Sequence, residues 1–358
     1  MKNLARILIG IVLFLIVLGA IVIFSARGYS FFISHIGKVI FSTAAFILFA
    51  VIPYKHYKNI SKYMLVGIIL ALVYTLFSPA VKGASRWMNL GFMSFQPSEF
   101  AKIFLLIHLA VLIEKKGDSI KDFNSGLKYM LLWIGVVCLL IFVQPNVSTT
   151  IIVASTSFVL LYVAGARVLH LGGIVGSIAV LGGIGAMAFP HSRGRILSFI
   201  NSITEGGSIN LQVLQSKIAL GSGGLFGLGI GKSRQSDLFL PEPHNDFVFS
   251  VVGEELGFFG ALAILFAYMA IFFVGLLIAK KAKDDFGQLL AFGISFTIVI
   301  SAFIHVAVGL GLLPTTGITL PFISFGGTSI IIFSISLGIL INIALISDKF
   351  REMKRARV

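Results

Sequence analysis

Apolar residues in this chain come in long blocks rather than in alternation. Ten runs, 7–25, 37–54, 63–79, 97–113, 128–143, 147–165, 168–189, 247–279, 289–312 and 327–347, hold few charged residues. A bilayer core asks for about 20 such residues per spanning helix. The pattern therefore predicts an all-α polytopic membrane protein of about ten transmembrane helices, built as a single membrane domain over 1–358. Polar connections between the runs are short, with one exception. Residues 190–246 form a long outer loop between helices 7 and 8. Inside it, Leu211, Leu214 and Ile218 recur at helical spacing in "NLQVLQSKIAL", which predicts a short amphipathic helix lying on or dipping into the membrane.

Composition agrees with the pattern. The 358 residues are 57% hydrophobic and only 12% charged, with a mean hydropathy of +1.02, far too little charge for a soluble domain of that length. The basic residues then set an orientation. Lys2, Arg6, Lys55, Lys58, Lys62, Lys115, Lys116, Lys121, Lys128, Arg167, Lys280, Lys281 and Lys283 fall on one side, with five more in the 348–358 tail. That side holds 18 of the 28 Lys and Arg, so both termini are expected in the cytoplasm. The net charge of +14 reflects this bias and suits anionic lipid headgroups; nothing calls for nucleic acid. The first run follows Lys2 and Arg6, but it is long and "FSARGYS" offers no small-x-small cleavage site, so it is expected to be retained. The lone Cys138 lies within a span and allows no disulfide in one chain.

"GSGGLFGLGIGKS" invites a phosphate-loop reading. That reading fails, because the pattern needs glycine where the chain has Phe226, and no strand precedes it. A tightly turned re-entrant segment fits better.

Ionisable residues within spans are costly and point to function. Glu99 and Lys102 are three apart at the start of the fourth helix, where Pro97 suits the first helical position, so they share a face and can pair. A structural ion pair and a substrate role are both open to them. Arg86 and Trp87 precede them in a loop. "QPNVST" frees backbone groups at a helix mouth, and a tight turn is the simpler account. In "FLPEPHNDFVFSVVGEELGFFG", Asp246 is placed to cap the eighth helix, whereas Glu254 and Glu255 lie deeper, point about 100° apart and need a cavity or partners. Asp237 and Glu242 lie upstream, with Lys232 and Arg234. Mixed acids and bases at the outer face suggest an anionic lipid-linked substrate and proton transfer. They leave enzyme and transporter undivided.

On "LPEPHNDFVFSVVGEELGFFGA", "LLPTTGITLPFISFGGTS" and "ASRWMNLGFMSFQPSEFAK" the chain resembles the SEDS (shape, elongation, division and sporulation) family, over essentially its whole length. "VVGEELG" and "TTGITLPFISFGG" are more similar to its division branch than to its elongation branch. The resemblance implies a peptidoglycan glycosyltransferase in the bacterial cytoplasmic membrane. Such an enzyme polymerises lipid II, an undecaprenyl-pyrophosphate-linked disaccharide pentapeptide, by inverting transfer at the outer face. It implies a class B penicillin-binding protein transpeptidase and other division proteins as partners. The family's catalytic aspartate matches Asp246, and a second loop acid matches Asp237. Arg86, Glu99 and Lys102 match its polar cavity; Lys217, Arg234 and Glu254 complete the substrate-binding candidates. Asn146 departs from the family's aspartate, which favours a structural role there. No cofactor or metal site is implied, although a divalent cation fits the chemistry. A lipid II flippase, an elongation-type polymerase and a recruiting scaffold are the competing readings.

Overall fold

The computed structural model describes residues 1–79, 86–89, 94–204, 210–240 and 242–355, and the side chain of Asp237 falls outside that description, as does the tail beyond residue 355. The regular structure of the described residues is helical apart from one small hairpin. Its helices are α1 (Lys2–Val51), α2 (Lys55–Leu76), α3 (Pro97–Lys116), α4 (Lys128–Val143), α5 (Val147–Val163) and α6 (Val168–Ala188). They continue as α7 (Pro190–Thr204), α8 (Leu211–Ser222), α9 (Arg234–Leu238), α10 (Val248–Lys280), α11 (Asp285–Gly309) and α12 (Gly327–Arg355). Between α2 and α3, β1 (Met88–Asn89) pairs antiparallel with β2 (Ser94–Phe95).

The runs 7–25 and 37–54, expected as separate helices, are two limbs of the 50-residue α1, broken at Gly28 (φ 74°, ψ −169°). The stretch between them is polar enough to interrupt hydropathy but holds no proline, so helical hydrogen bonding resumes at once on either side. Contacts show that the limbs run in opposite directions. The Met1 ammonium pairs with Asp348 at 2.9 Å, and Gly19 abuts the backbone of Ile323. On the way back, Lys38 reaches Phe325, and the Ala50 carbonyl meets Asn342. Seven helices among the described residues are long and apolar enough to cross a bilayer. The second limb of α1, together with α3 and the shorter α5, brings the crossings to ten.

Burial orders the bundle. The spanning windows of α12 and α11 are 89% and 67% buried within the protein, against 12% for α6. The two inner helices therefore carry the 310–326 segment between them to the centre of one end. That end also holds α7, α8, α9, the 242–247 segment and the β1–β2 pair, and is called the loop end. The N-terminus, the end of α12 around Asp348 and Glu352, Tyr54 and Asp284 gather at the other, where Tyr54 Oη donates to Asp284 at 2.9 Å and Lys2 pairs with Glu352 at 3.0 Å.

The amphipathic helix expected near 211–218 is α8. Leu211, Leu214 and Ile218 lie on its exposed face, as a helix at a membrane surface requires, while Val213, Ser216 and Ala219 are buried. Ser216 Oγ bonds Ser250 Oγ and donates to the Gly309 carbonyl, tying α8 to α10 and α11.

The glycine-rich segment explains itself against α10, which is broken at Gly257 (φ 69°, ψ −168°). The break leaves backbone groups without helical partners, a large cost in an apolar setting. The segment supplies them. Leu228 N and Gly229 N donate to the Glu254 and Glu255 carbonyls at 2.9 and 3.0 Å. Phe258 N and Phe259 N donate back to the Gly224 and Leu225 carbonyls at 2.9 and 3.2 Å. A Cβ on Gly227 would lie 2.1 Å from the Glu255 carbonyl oxygen, so glycine is required for backbones to approach this closely. It is a staple across a broken helix.

Candidate active site

Asp246 was expected to cap α10. It does not. The N-cap position is Phe247, with no side-chain cap, and α10 begins at Val248. Asp246 thus stands one residue before the N-cap, on a segment held by the "LPFISFGG" loop. Phe325 N donates to the His244 carbonyl at 3.0 Å, and Ser324 Oγ donates to the Asn245 carbonyl at 2.8 Å. Ser324 also accepts from Leu320 N at 2.8 Å, and Tyr268 Oη donates to the Pro321 carbonyl, so the loop is itself anchored to the buried core. The His244 ring is buried, with Phe31 and Phe325 against it, and its Nδ1 accepts from Arg27 Nε at 3.2 Å. That bond leaves Nδ1 without a proton. Lys38 completes the brace: its ammonium donates to the Phe325 carbonyl at 3.2 Å and sits 3.1 Å over the Phe325 ring.

Two guanidiniums share the field of the Asp246 carboxylate. Arg86 donates from Nε to the Gln144 carbonyl at 3.2 Å and from Nη2 to the Pro145 carbonyl. Arg195, on α7, donates to the Thr315 carbonyl at 3.2 Å. Burial pulls the Arg86 pKa down to about 10, Arg195 adds to the fall, and Asp246 opposes it. Arg195 is lowered by burial and supported by Asp246 in the same way. Both remain charged at neutral pH. The turn that receives Arg86 is fixed from beneath: Gln144 Nε2 donates to the Leu72 carbonyl at 3.0 Å, and Asn146 Nδ2 donates to Ser98 Oγ at 3.3 Å. Asn146 therefore acts in a turn, as its departure from aspartate suggests.

Deeper in the bundle, Lys102 pairs with Glu99 at 2.9 Å. Both are buried, and Thr297, Ser336 and Phe333 help enclose the space beside them. The local cause is the start of α3: Pro97 in its first turn, with Glu99 beside it where the helix dipole favours a carboxylate.

With this geometry in view, comparison with known proteins decides the family. A family model described as cell cycle protein, that of FtsW, RodA and SpoVE, matches residues 4–349. The chain belongs to the FtsW/RodA/SpoVE family. The stage V sporulation protein E of Bacillus subtilis (strain 168) is 34% identical over 352 residues, covering 94% of this chain and 96% of that protein. The probable peptidoglycan glycosyltransferase FtsW of the same organism is 35% identical, covering 91% and 84%. That of Geobacter sp. (strain M18) is 38% identical, covering 76% of each. Among solved structures, a chain from a study of polymerization and crosslinking by a peptidoglycan synthase complex superimposes with a TM-score of 0.80 at 23% identity, covering 95% and 97%. A mutant of the rod shape determining protein RodA of Thermus thermophilus gives 0.72 at 25%, covering 94% and 96%.

In this FtsW/RodA/SpoVE member the sequence candidates separate. Arg86 and Asp246 come together, and Arg195, which sequence reasoning missed, joins them; its signal was an arginine on an otherwise unremarked loop helix. Lys102 and Glu99 pair with each other. Glu254 is almost fully buried, and its oxygens accept from Ser233 Oγ and from the backbone N–H of Arg234 and Gln235, at 3.1 Å for the Arg234 bond. It caps the start of α9 from across the fold. Glu255 accepts from Ser25 Oγ and from Gly231 N at 3.1 Å. The two neighbours thus serve different partners, as their divergence demands. Lys217 is exposed and lies near Gly311; Arg234 is exposed. The side chain of Asp237 lies outside the described residues. Among the described residues no group of His, Cys, Asp and Glu is arranged to hold a metal ion.

Proposed function

We propose that this chain is a peptidoglycan glycosyltransferase that polymerises lipid II, with Asp246 as general base. One observation carries the reading: an aspartate ahead of the helix cap, on a braced segment, in the field of two half-buried guanidiniums. The names of the relatives support it, since several are probable peptidoglycan glycosyltransferases. In an inverting transfer the acceptor 4-hydroxyl oxygen bonds to the donor's anomeric carbon as the bond from that carbon to diphosphate oxygen breaks. The hydroxyl proton passes to Asp246, and the bonding pair leaves with the diphosphate. Arg86 and Arg195 stabilise the charge that develops there, with Lys102 in reserve. The spans confine both polyprenyl-linked substrates to one plane. Arg27, His244 and Lys38 act through position.

The loop end faces the outside of the cytoplasmic membrane in this reading, because the basic residues gather with the termini at the other. The exposed apolar faces of the bundle leave room for a single-span penicillin-binding transpeptidase, expected to raise activity when bound. The test is glycan formation from lipid II by purified protein. Asp246→Asn should reduce it about a hundredfold or more at unchanged thermal stability; near-normal polymerisation would sink the mechanism. A flippase reading draws on the buried Glu99–Lys102 pair, and it requires translocation to survive Asp246→Asn.

A further inference from the structure

A second concavity lies beside the catalytic segment without belonging to it. It is a shallow depression between α7, the start of α8 and the 311–315 segment, open to solvent on one side. Arg195, Ser198, Phe199 and Ser202 line it from α7. Spaced three, four and seven residues from the first, they form a single helix face. Asn210 and Pro314 stand opposite.

We infer that this depression binds the saccharide of the lipid-linked substrate. The inference rests on the glycosyl-transfer reading and extends it to a subsite. Its chemistry is that of a sugar: the Ser198 hydroxyl, the Asn210 amide N–H groups and the acceptor lone pair of Ser202, whose proton goes to the Phe199 carbonyl, match a ring's hydroxyl edge, and the Phe199 ring and Pro314 match its C–H face. An acyl tail would select a groove without hydroxyls, and a phosphate alone would need only the cation. Arg195 gives the site its address. Its guanidinium donates to the Thr315 carbonyl at the rim and lies in the field of the Asp246 carboxylate. A saccharide whose diphosphate meets Arg86 and Arg195 therefore has its next sugar over Ser198 and Phe199. The depression is shallow and open, which suits a chain that must slide out as it grows.

Binding, rather than turnover, tests the claim, so the outcome stands whether or not Asp246 is the base. Protein in nanodiscs is titrated with lipid II and, separately, with undecaprenyl diphosphate, which has the same lipid and phosphates but no sugar. Filling the depression with Ser198→Leu and Ser202→Leu together should weaken lipid II about tenfold, on the scale of two lost hydrogen bonds, and leave undecaprenyl diphosphate unchanged. If the filled variant melts early, Ser198→Ala with Ser202→Ala, which adds no bulk, gives the decision by the same ratio. Equal weakening of both ligands would mean the site reads phosphate, and unchanged binding of both would mean it reads nothing. Either overturns the inference.

Discussion

The two ends of the bundle hold their cations in opposite ways. At the terminal end, positive groups meet carboxylates: Met1 with Asp348, Lys2 with Glu352, Lys55 with Asp284, Lys58 with Glu114, and Lys121 with Asp118. At the loop end, among the described residues and apart from the Lys102–Glu99 pair set deeper at the start of α3, they meet carbonyls, rings and an imidazole. Arg86 takes two carbonyls, Arg195 one, Lys38 a carbonyl and a ring, and Arg27 the His244 nitrogen. Carbonyls fix a cation's position while leaving its charge, whereas a carboxylate cancels it. The loop end therefore keeps a positive field focused on the place where Asp246 stands, which is what an anionic substrate requires. At the terminal end the carboxylate pairs serve to join helix ends, and the remaining basic residues there suit anionic lipid headgroups rather than a buried site.

Replacing cations at each end measures that difference. The largest effect is expected from Arg86→Ala, a loss of roughly a hundredfold in polymerisation at equal thermal stability, comparable to removing one donor to a developing anion. Arg86→Lys should recover part of it, since charge returns without the two-carbonyl fork. Equal stability loss in Arg86→Ala would instead mark it as a structural brace for the 144–146 turn.

Next comes the brace on the acid itself. Lys38→Met keeps the apolar stem and removes the ammonium from Phe325. It should lower kcat by about tenfold with KM little changed, the signature of a displaced base. A raised KM with normal kcat would make Lys38 a substrate contact. Gly257→Ala tests the staple that carries the segment: a Cβ there meets Gly227 N at 2.3 Å in a left-handed conformation, so a loss of about 2–3 kcal/mol is expected in a melting experiment. An unchanged melting temperature would show that the break tolerates a side chain. The smallest effect belongs to the terminal end. Lys2→Ala removes an exposed ion pair and should leave the melting temperature and the activity nearly unchanged. A loss of polymerisation there would erase the contrast between the ends.

Part of this was legible from residues alone. Apolar run length gives the spans because each helix satisfies its own backbone in lipid, whatever its neighbours are. Pro97 opening α3 and the exposed apolar face of α8 are equally local, fixed by backbone chemistry and a period of 3.6 residues. Asp246 could be singled out through family resemblance, but its surroundings could not, because its helix-cap assignment failed by one position. The partners of Glu254 and Glu255 come from 230 positions back for Ser25, and from about 20 for Ser233 and Arg234. No periodicity encodes such distances. The meeting of Arg86, Arg195 and Asp246 is of the same kind: three segments, each unremarkable alone, brought together because α11 and α12 bury themselves at the centre and carry their connecting loop to the loop end. The sequence by itself determined how many times the chain crosses and, at α3 and α8, which face or residue opens a helix. Only the tertiary structure decided which charges are cancelled and which are kept, because that depends on contacts between residues whose separation along the chain carries no signal.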